Sequence, residues 1–505
     1  MTLACHTNGL GNRRIFRALV FQACRKAGSV RMRRRGPRNF GDDRHWSIRP
    51  IVVAILLSGI GAHVARAETL PETLARAYQA NPALNAERAR LRGTDENVPQ
   101  ALAGYRPQLE ATLSKGLQEV RNLLPSSIGG GTESARLRSL TYGLTLTQTL
   151  YNGFKTANQV RQSEAQVRSG RESLRNVGQG VLLDAVTAYT NVLTSQAIVD
   201  AQRANLKFLQ QTTDMTRKRY NAGDVTPTDV AQSEARYHRG IYDLNAAQIN
   251  LAISRAAYAQ VIGVEPGQLA PVEVPSRLIP RSREDALVIC WREHPAILGA
   301  IYDIDAAEHA ISIAESSLLP NVSLQGTVSR SKGTDTTLGT SATDLASIMG
   351  QVTVPIYDGG LAASQTRQAK EVTGQARILL DVVRNQAKTA VIAAWATFEG
   401  SRLSVSAADS ELKAANLALS GVQKEAQAGS RTTLEVLNAQ VDVMTAQATL
   451  IQAQHDRAVA AFTLLSAIGR LDPKNLALDT PDYDPVVHYE QVRDMWHGLR
   501  TPSGR

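Results

Sequence analysis

Nowhere beyond residue 67 does the chain hold a run of 18 apolar residues, so none of its helices reads as membrane-spanning. Cysteine is nearly absent: of three, only Cys290 lies past that point, which excludes an intramolecular disulfide there and leaves packing or assembly to supply stability. There is no His-Glu-x-x-His, no cysteine pair spaced for a metal, no phosphate loop ending in Lys-Ser/Thr and no Gly-x-Ser-x-Gly. An enzyme reading therefore has little to stand on, and neither catalytic nor metal-binding residues nor a cofactor are expected. His238, His309 and His455 lack a second ligand one turn away and read as surface residues. Trp291 and Trp395 read as packing anchors.

Net charge is also missing once the amino terminus is set aside. Residues 1–67 hold thirteen Lys/Arg against two acids, leaving 43 basic and 44 acidic residues in the remainder. The high pI then carries no implication of nucleic acid as a partner. This segment ends in an apolar run, Ile51 to Ala62, followed by Ala65-Arg66-Ala67, the small-x-small pattern of a signal peptide cleaved after Ala67. Twelve apolar residues are too few for an uncleaved anchor. Translation starts at Met1 or Met32, and no cysteine follows the cleavage point to take a lipid.

What the chain does hold is a duplication. Residues 68–265 reappear as 282–471: Tyr151-Asn152-Gly153 recurs as Tyr357-Asp358-Gly359, and Gly223-x-x-Thr226-x-x-Asp229-Val230 as Gly429-x-x-Thr432-x-x-Glu435-Val436, both displaced by 206. Residues 266–281 carry Pro266, Pro271, Pro275 and Pro280 and form a linker that cannot continue a helix, expected as a belt around the middle. Residues 472–505 form a carboxyl tail, expected on that belt or flexible.

Each repeat has two segments of period-two alternation. In hairpin 106–151, Leu109, Ala111, Leu113, Leu140, Tyr142, Leu144 and Leu146 alternate with polar residues; in hairpin 319–358, Val322, Leu324, Val328, Ile348, Val352, Val354 and Ile356 do so. Strands of about 10 to 13 residues suit either a sheet packed on a helix or a tilted membrane sheet. Tyr105, Tyr151 and Tyr357 at the strand ends favour the membrane, as interfacial aromatics. The Gly-, Ser- and Thr-rich stretches 126–132 and 332–343 read as exposed loops.

The remainder predicts long helices at 153–222, 226–262, 360–428 and 432–468, with shorter ones opening each repeat, about 71–103 and 282–317. Val160, Val167, Leu174, Val181 and Ala188 step by seven, as do Val230, Tyr237, Leu244, Leu251 and Tyr258, the mark of coiled-coil packing. A helix over 153–222 would run about 100 Å, and two shorter helices stacked end to end would match it. The fold class is mainly α with membrane β. Four strands cannot close in hydrocarbon, where an open edge leaves unpaired backbone groups; two copies give eight strands, with an interior normally filled by side chains, and three give twelve, wide enough for a water-filled bore.

The duplicated halves, the Tyr-Asn-Gly and Tyr-Asp-Gly-Gly strand exits and the twin Gly-x-x-Thr turns resemble the TolC-type outer-membrane channels over residues 68 to 475. The resemblance implies a homotrimeric channel-tunnel, with a 12-stranded β-barrel above a long α-helical barrel, in the outer membrane and reaching into the periplasm. It implies type I protein secretion or multidrug efflux, with outer-membrane lipid, a periplasmic adaptor and an inner-membrane ABC or RND pump as partners. A periplasmic coiled-coil adaptor without a barrel is the alternative.

In each turn, Gly223 or Gly429 ends one helix, while Thr226 or Thr432 caps the next and Asp229 or Glu435 completes a capping box. Pro227 takes the first helical position, where its missing N–H costs nothing. The resemblance adds a gate: Asp229 matches an acid of the first hairpin, Arg431 the base that reaches toward it, and Glu435 a pore-facing acid. The chain departs from a family member at Ala426, where that protein has a latch tyrosine, and at Asn438, where it has a second acid.

Overall fold

The computed structural model describes residues 67–502 except 125, 126, 128, 336–338 and 482. Ala65 and most of the expected signal peptide lie outside the described residues. Along the chain run α1 (Leu70–Ala80), α2 (Pro82–Asp95), α3 (Asn97–Leu102), β1 (Gln108–Leu124), β2 (Gly131–Asn152), α4 (Lys155–Asn221), α5 (Pro227–Ile262), α6 (Arg283–Glu293) and α7 (Pro295–Glu315). Then follow β3 (Asn321–Asp335), β4 (Gly339–Thr353), α8 (Leu361–Gln427), α9 (Thr433–Ala467) and α10 (Pro485–Arg493).

The two long helices, α4 and α8, have 67 residues each, about 100 Å of rise. Both begin where a pair of left-handed residues turns the strand into the helix: Gly153 and Phe154 at φ 65° and 62°, then Gly359 and Gly360 at 73° and 88°. Asn152 and Asp358 fasten these corners. The Asp358 carboxylate accepts from the Gly360 and Ala362 amides at 2.9 and 2.7 Å, and Asn152 donates to the Thr156 hydroxyl at 2.7 Å. Helix α4 packs against α5 along one part of its length and α7 along another; α8 does the same with α9 and α7.

The short opening helices are broken, against the sequence-based expectation of continuous ones at 71–103 and 282–317. Asn81 and His294 cap new helices whose first residues are Pro82 and Pro295. Proline drives the residue before it out of the α region, so the chain bends there. The seven-residue seam also has a second half. Ser233, Gly240 and Ala247 are buried on α5 three residues on from Val230, Tyr237 and Leu244, completing a 3-4 spacing with small side chains that let α4 approach closely.

The sheet is antiparallel in the order β1-β2-β3-β4. Directly opposed residues share a face: Leu109 with Leu146, Leu113 with Tyr142, Leu144 with Val328, and Gly326 with Ile348. The other face aligns Gln108 with Thr147 and Gln325, and Ser114 with Thr141, Ser331 and Thr343. One face is therefore largely apolar, with Arg330 and Asp344 toward the strand tips, and the other largely polar, with Leu345 and Met349 as exceptions.

Strand lengths differ from expectation, at 17, 22, 15 and 15 residues. Much of the Gly/Ser/Thr-rich sequence expected as loop is paired; Lys332 faces Ala342, and the Thr334 and Thr340 hydroxyls lie 3.2 Å apart. Polar composition marks these strand tips as hydrated, not as turns. Strand β4 stops at Thr353, leaving Val354 and Ile356 beyond it.

Between the sheet and the hairpin tips lies the main core. Tyr189 and Val186 of α4, Tyr258 and Ile262 of α5, Val391 and Phe398 of α8, and Phe462 and Leu465 of α9 join Leu74, Ala286, Cys290 and Ile297. The Pro-rich linker is tied to it by Tyr189, whose hydroxyl lies 2.8 Å from the Glu68 carbonyl and 2.7 Å from that of Ala270. Trp395 packs against this core, whereas Trp291 is half exposed. The tail, residues 472–505, starts here, where Leu476 and Leu478 pack against the core just after Leu471.

Candidate functional site

The two hairpin tips follow their sequence motif closely. Gly223 and Gly429 adopt φ of 86° and 81°, a conformation that only glycine takes without cost. The following amides reach back over the turn, Asp224 N–H to the Arg219 carbonyl at 2.9 Å and Ser430 N–H to that of Glu425 at 3.0 Å. Both capping boxes are formed. The Asp229 amide donates to the Thr226 hydroxyl at 3.3 Å while the Asp229 carboxylate accepts from the Thr226 amide at 2.9 Å; Thr432 and Glu435 repeat this at 3.3 and 2.8 Å. Pro227 sits at the first helical turn, as expected.

These contacts set the charge of the tips. The Thr226 hydroxyl, then its amide, holds the Asp229 carboxyl below its usual range, and the Thr432 amide, then Arg431, does the same for Glu435. Both acids are anions at neutral pH, standing at helix N-termini where negative charge is favourable.

Within one chain the structure does not bring Asp229 and Arg431 together. Arg431 instead bridges the two stems of its own turn, at 2.8 Å to Glu425 and 3.0 Å to Glu435. The carbonyl of Ala426 accepts the Gly429 amide.

A contact that joins the two hairpins near their tips was not anticipated: Arg236 Nη2 of α5 donates to Asn438 Oδ1 of α9 at 3.2 Å. Farther up, Gln440 donates to Asn205 of α4 at 3.0 Å. A signal existed, since Arg236 follows Asp229 by seven residues and Asn438 follows Glu435 by three, so each lies on the helical face of an acid already singled out. His455, expected on the surface, is largely buried: Asn191 lies 2.8 Å from its Nε2 and Asp456 2.9 Å from its Nδ1.

At the other end, the apolar sheet face is exposed to its surroundings, with Leu113 at 75% and Ile348 at 83%. Tyr105 and Tyr357 are exposed where strands meet helices, and Tyr151 packs edge-on against Phe154 at 5.4 Å. The outer edges of β1 and β4 pair with no other strand among the described residues.

A protein-family model described as outer membrane efflux protein matches residues 73–264 and 291–470. The outer membrane efflux protein BepC of Brucella suis biovar 1 (strain 1330) is 40% identical over 461 residues, 90% of this chain and 97% of its own. The outer membrane protein TolC of Escherichia coli (strain K12) is 26% identical over 457 residues, 86% of this chain and 89% of that protein. A crystal structure of CusC superposes with a TM-score of 0.68 at 18% identity, over 79% of this chain and 92% of that one, which shows a common fold.

Proposed function

Because the chain belongs to the outer membrane efflux protein family, we propose that three copies form the passive exit duct of a tripartite export machine in the outer membrane. The observation that carries this is the four-stranded sheet: one face largely apolar and exposed, the other largely polar, both edges unpaired among the described residues, with helices about 100 Å long beside it. An unpaired edge in hydrocarbon costs several kcal/mol for each bare backbone group. Joining β1 of one copy to β4 of the next removes every edge, and twelve strands enclose a bore lined by the Gln, Ser and Thr face. From Tyr142 to Tyr151 the strand rises about 30 Å, or about 21 Å once tilted by 45°, close to the apolar band of a membrane barrel. An adaptor lacking a barrel has no use for such a face.

The helical hairpins reach into the periplasm, where a periplasmic adaptor and an inner-membrane ABC or RND pump supply cargo and energy for efflux or type I secretion. The chain is delivered by a signal peptide cleaved after Ala67. Tyr105, Tyr151 and Tyr357 mark the membrane boundary. The tips form the entrance, with Glu435 lining it and Asp229 reaching Arg431 of a neighbouring copy. Since Glu425 and Glu435 already hold Arg431, that link works by sharing the guanidinium, a weak arrangement suited to a gate. Purified protein should run as a heat-sensitive trimer and conduct ions in planar bilayers, with Glu435→Gln reducing cation preference. A monomer that does not conduct would refute the reading.

A further inference from the structure

Beyond the core, the carboxyl tail climbs the helices toward the sheet. Tyr483 takes the Arg88 guanidinium over its ring at 4.7 Å; five residues on, His488 meets Asp95 at 2.8 Å; eight further, the Trp496 ring lies 4.8 Å from the guanidinium of Arg106. The partners advance together, from 88 to 95 to 106, so the tail runs parallel to α2 and α3 for about 25 Å. Arg106 also donates to the Met495 carbonyl at 2.6 Å, two residues before β1 begins. Met495 and Trp496 thus lie at the foot of the sheet.

It lies on a definite side of the wall. On α4, the Arg171 guanidinium stacks on Tyr489 at 5.2 Å, and Tyr189, eighteen residues later, binds the Pro-rich linker. Eighteen residues are five full turns, so tail and linker share one face of α4. The opposite face presents Gln162, Gln166, Ser169 and Asn176, of which Gln166 and Asn176 are exposed, while Ser173 on the same side is held by Glu87 and Arg90 of α2. With this polar side facing the bore of the proposed trimer, the tail lies on the outside of the tunnel.

There it exposes what a water-facing tail has no reason to expose. Trp496 is 69% accessible and Leu499 fully so, and beside them Tyr105 and Phe154 stand out from the same junction. Phe154 keeps its aromatic ring at φ 62°, where the second repeat uses Gly360. Arg500 follows Leu499. Aromatic rings with arginine beside them suit the headgroup layer of a bilayer, the ring among glycerol groups and the guanidinium on phosphate.

We propose that residues 495–500 are a membrane foot: Trp496 and Leu499 insert into the phospholipid headgroup layer on the periplasmic side, held there by the strap from Tyr483 to Arg106. The foot braces the tunnel against the membrane from outside. It rests on the reading of the sheet as lipid-embedded, and the test separates the two.

Mature protein with Trp291 and Trp395 replaced by Phe leaves Trp496 as the sole tryptophan, excited at the red edge where tyrosine does not absorb; a second variant adds Trp496→Phe and Leu144→Trp to report the sheet. Both are reconstituted in nanodiscs of phosphatidylethanolamine and phosphatidylglycerol brominated near the headgroup or deep in the chains. Trp496 should lose most of its emission to shallow bromines, little to deep ones and little to aqueous acrylamide, while Leu144→Trp is quenched by the deep bromines. If Leu144→Trp is quenched and Trp496 is not, the foot is wrong: acrylamide quenching then puts the tail in water, and silence to both quenchers puts it under a neighbouring copy. If neither responds to bromine, the sheet is not in lipid and both readings fall.

Discussion

If the hairpin tips form the entrance as proposed, replacing Asn438 by Asp should close it more tightly, not loosen it. Arg236 Nη2 now donates to the neutral Asn438 Oδ1 at 3.2 Å across the two hairpins. A carboxylate at that position makes the bond charge-assisted, worth about 0.5 kcal/mol at an exposed site. Over three copies that is about 1.5 kcal/mol, or about tenfold in an opening equilibrium. The new charge also faces Glu435 one turn away, about 5 to 6 Å on a helix surface. That repulsion is the smaller effect, because Arg431 already sits 3.0 Å from Glu435. Single-channel recording in planar bilayers reads the equilibrium directly: Asn438→Asp should shorten the high-conductance dwell, Arg236→Ala should lengthen it, and the double variant should open at least as readily as Arg236→Ala alone. Asn438→Asp opening the channel, or Arg236→Ala behaving as wild type, would show that this contact does not restrain the entrance.

Other expectations test the main core and the cap of the second tip. Gly263 and Gly469 end equivalent helices at φ 90° and 86°, but a Cβ on Gly469 would lie 2.8 Å from the His294 Cα, whereas at Gly263 the space is open. Gly263→Ala should cost about 1 to 2 kcal/mol and Gly469→Ala about 1 to 3 kcal/mol more, read as midpoints of thermal unfolding in detergent. Burial pushes the Cys290 thiol up to about 11, so maleimide at pH 8 should label it only after unfolding. Glu435 has a lowered pKa in the folded state, so its stabilisation is present above the unfolded value near 4.5 and lost as pH falls through the lowered one. Hydrogen-exchange protection at residues 432–436 should therefore hold from pH 7 to about 5 and fall only in stronger acid, and Glu435→Gln should remove that step.

The features legible in the sequence were those where geometry demands a residue type. A tight reversal needs a glycine, a cap needs a short oxygen side chain, and an acid three residues on closes the box; hence both tips could be placed to the residue. Sheet faces were legible because opposite sides of a strand meet different solvents. Strand ends were not: Lys332 to Asp335 and Thr340 to Thr343 are polar on both faces, so nothing in their pattern separates paired strand from loop. The Ser233, Gly240 and Ala247 half of the seam was missed because small residues carry little hydropathy, though their size is what allows close packing. The tail was opaque because its contacts are single Arg–aromatic and His–Asp pairs, which leave no period to read.

The duplication has a physical use that a shorter, unduplicated chain would lack. A ring of six identical tips would set like charges against like at every contact. Here the copies have diverged: Arg219 stands where the second repeat has Glu425, Arg236 where it has Asp442, and Val225 where it has Arg431. Alternating the two kinds of tip around the entrance of the proposed trimer sets basic positions of one kind beside acidic positions of the other; within one chain Arg236 reaches across to the other hairpin, where it meets the neutral amide of Asn438. Complementary alternation fixes the order of hairpins and penalises wrong pairings through like-charge contact. Because all these groups are exposed, each contact contributes only about 0 to 1 kcal/mol. In the proposed trimer, fusion of the two halves would thus give an entrance that is specific in its arrangement yet weak enough for a docking partner to reopen.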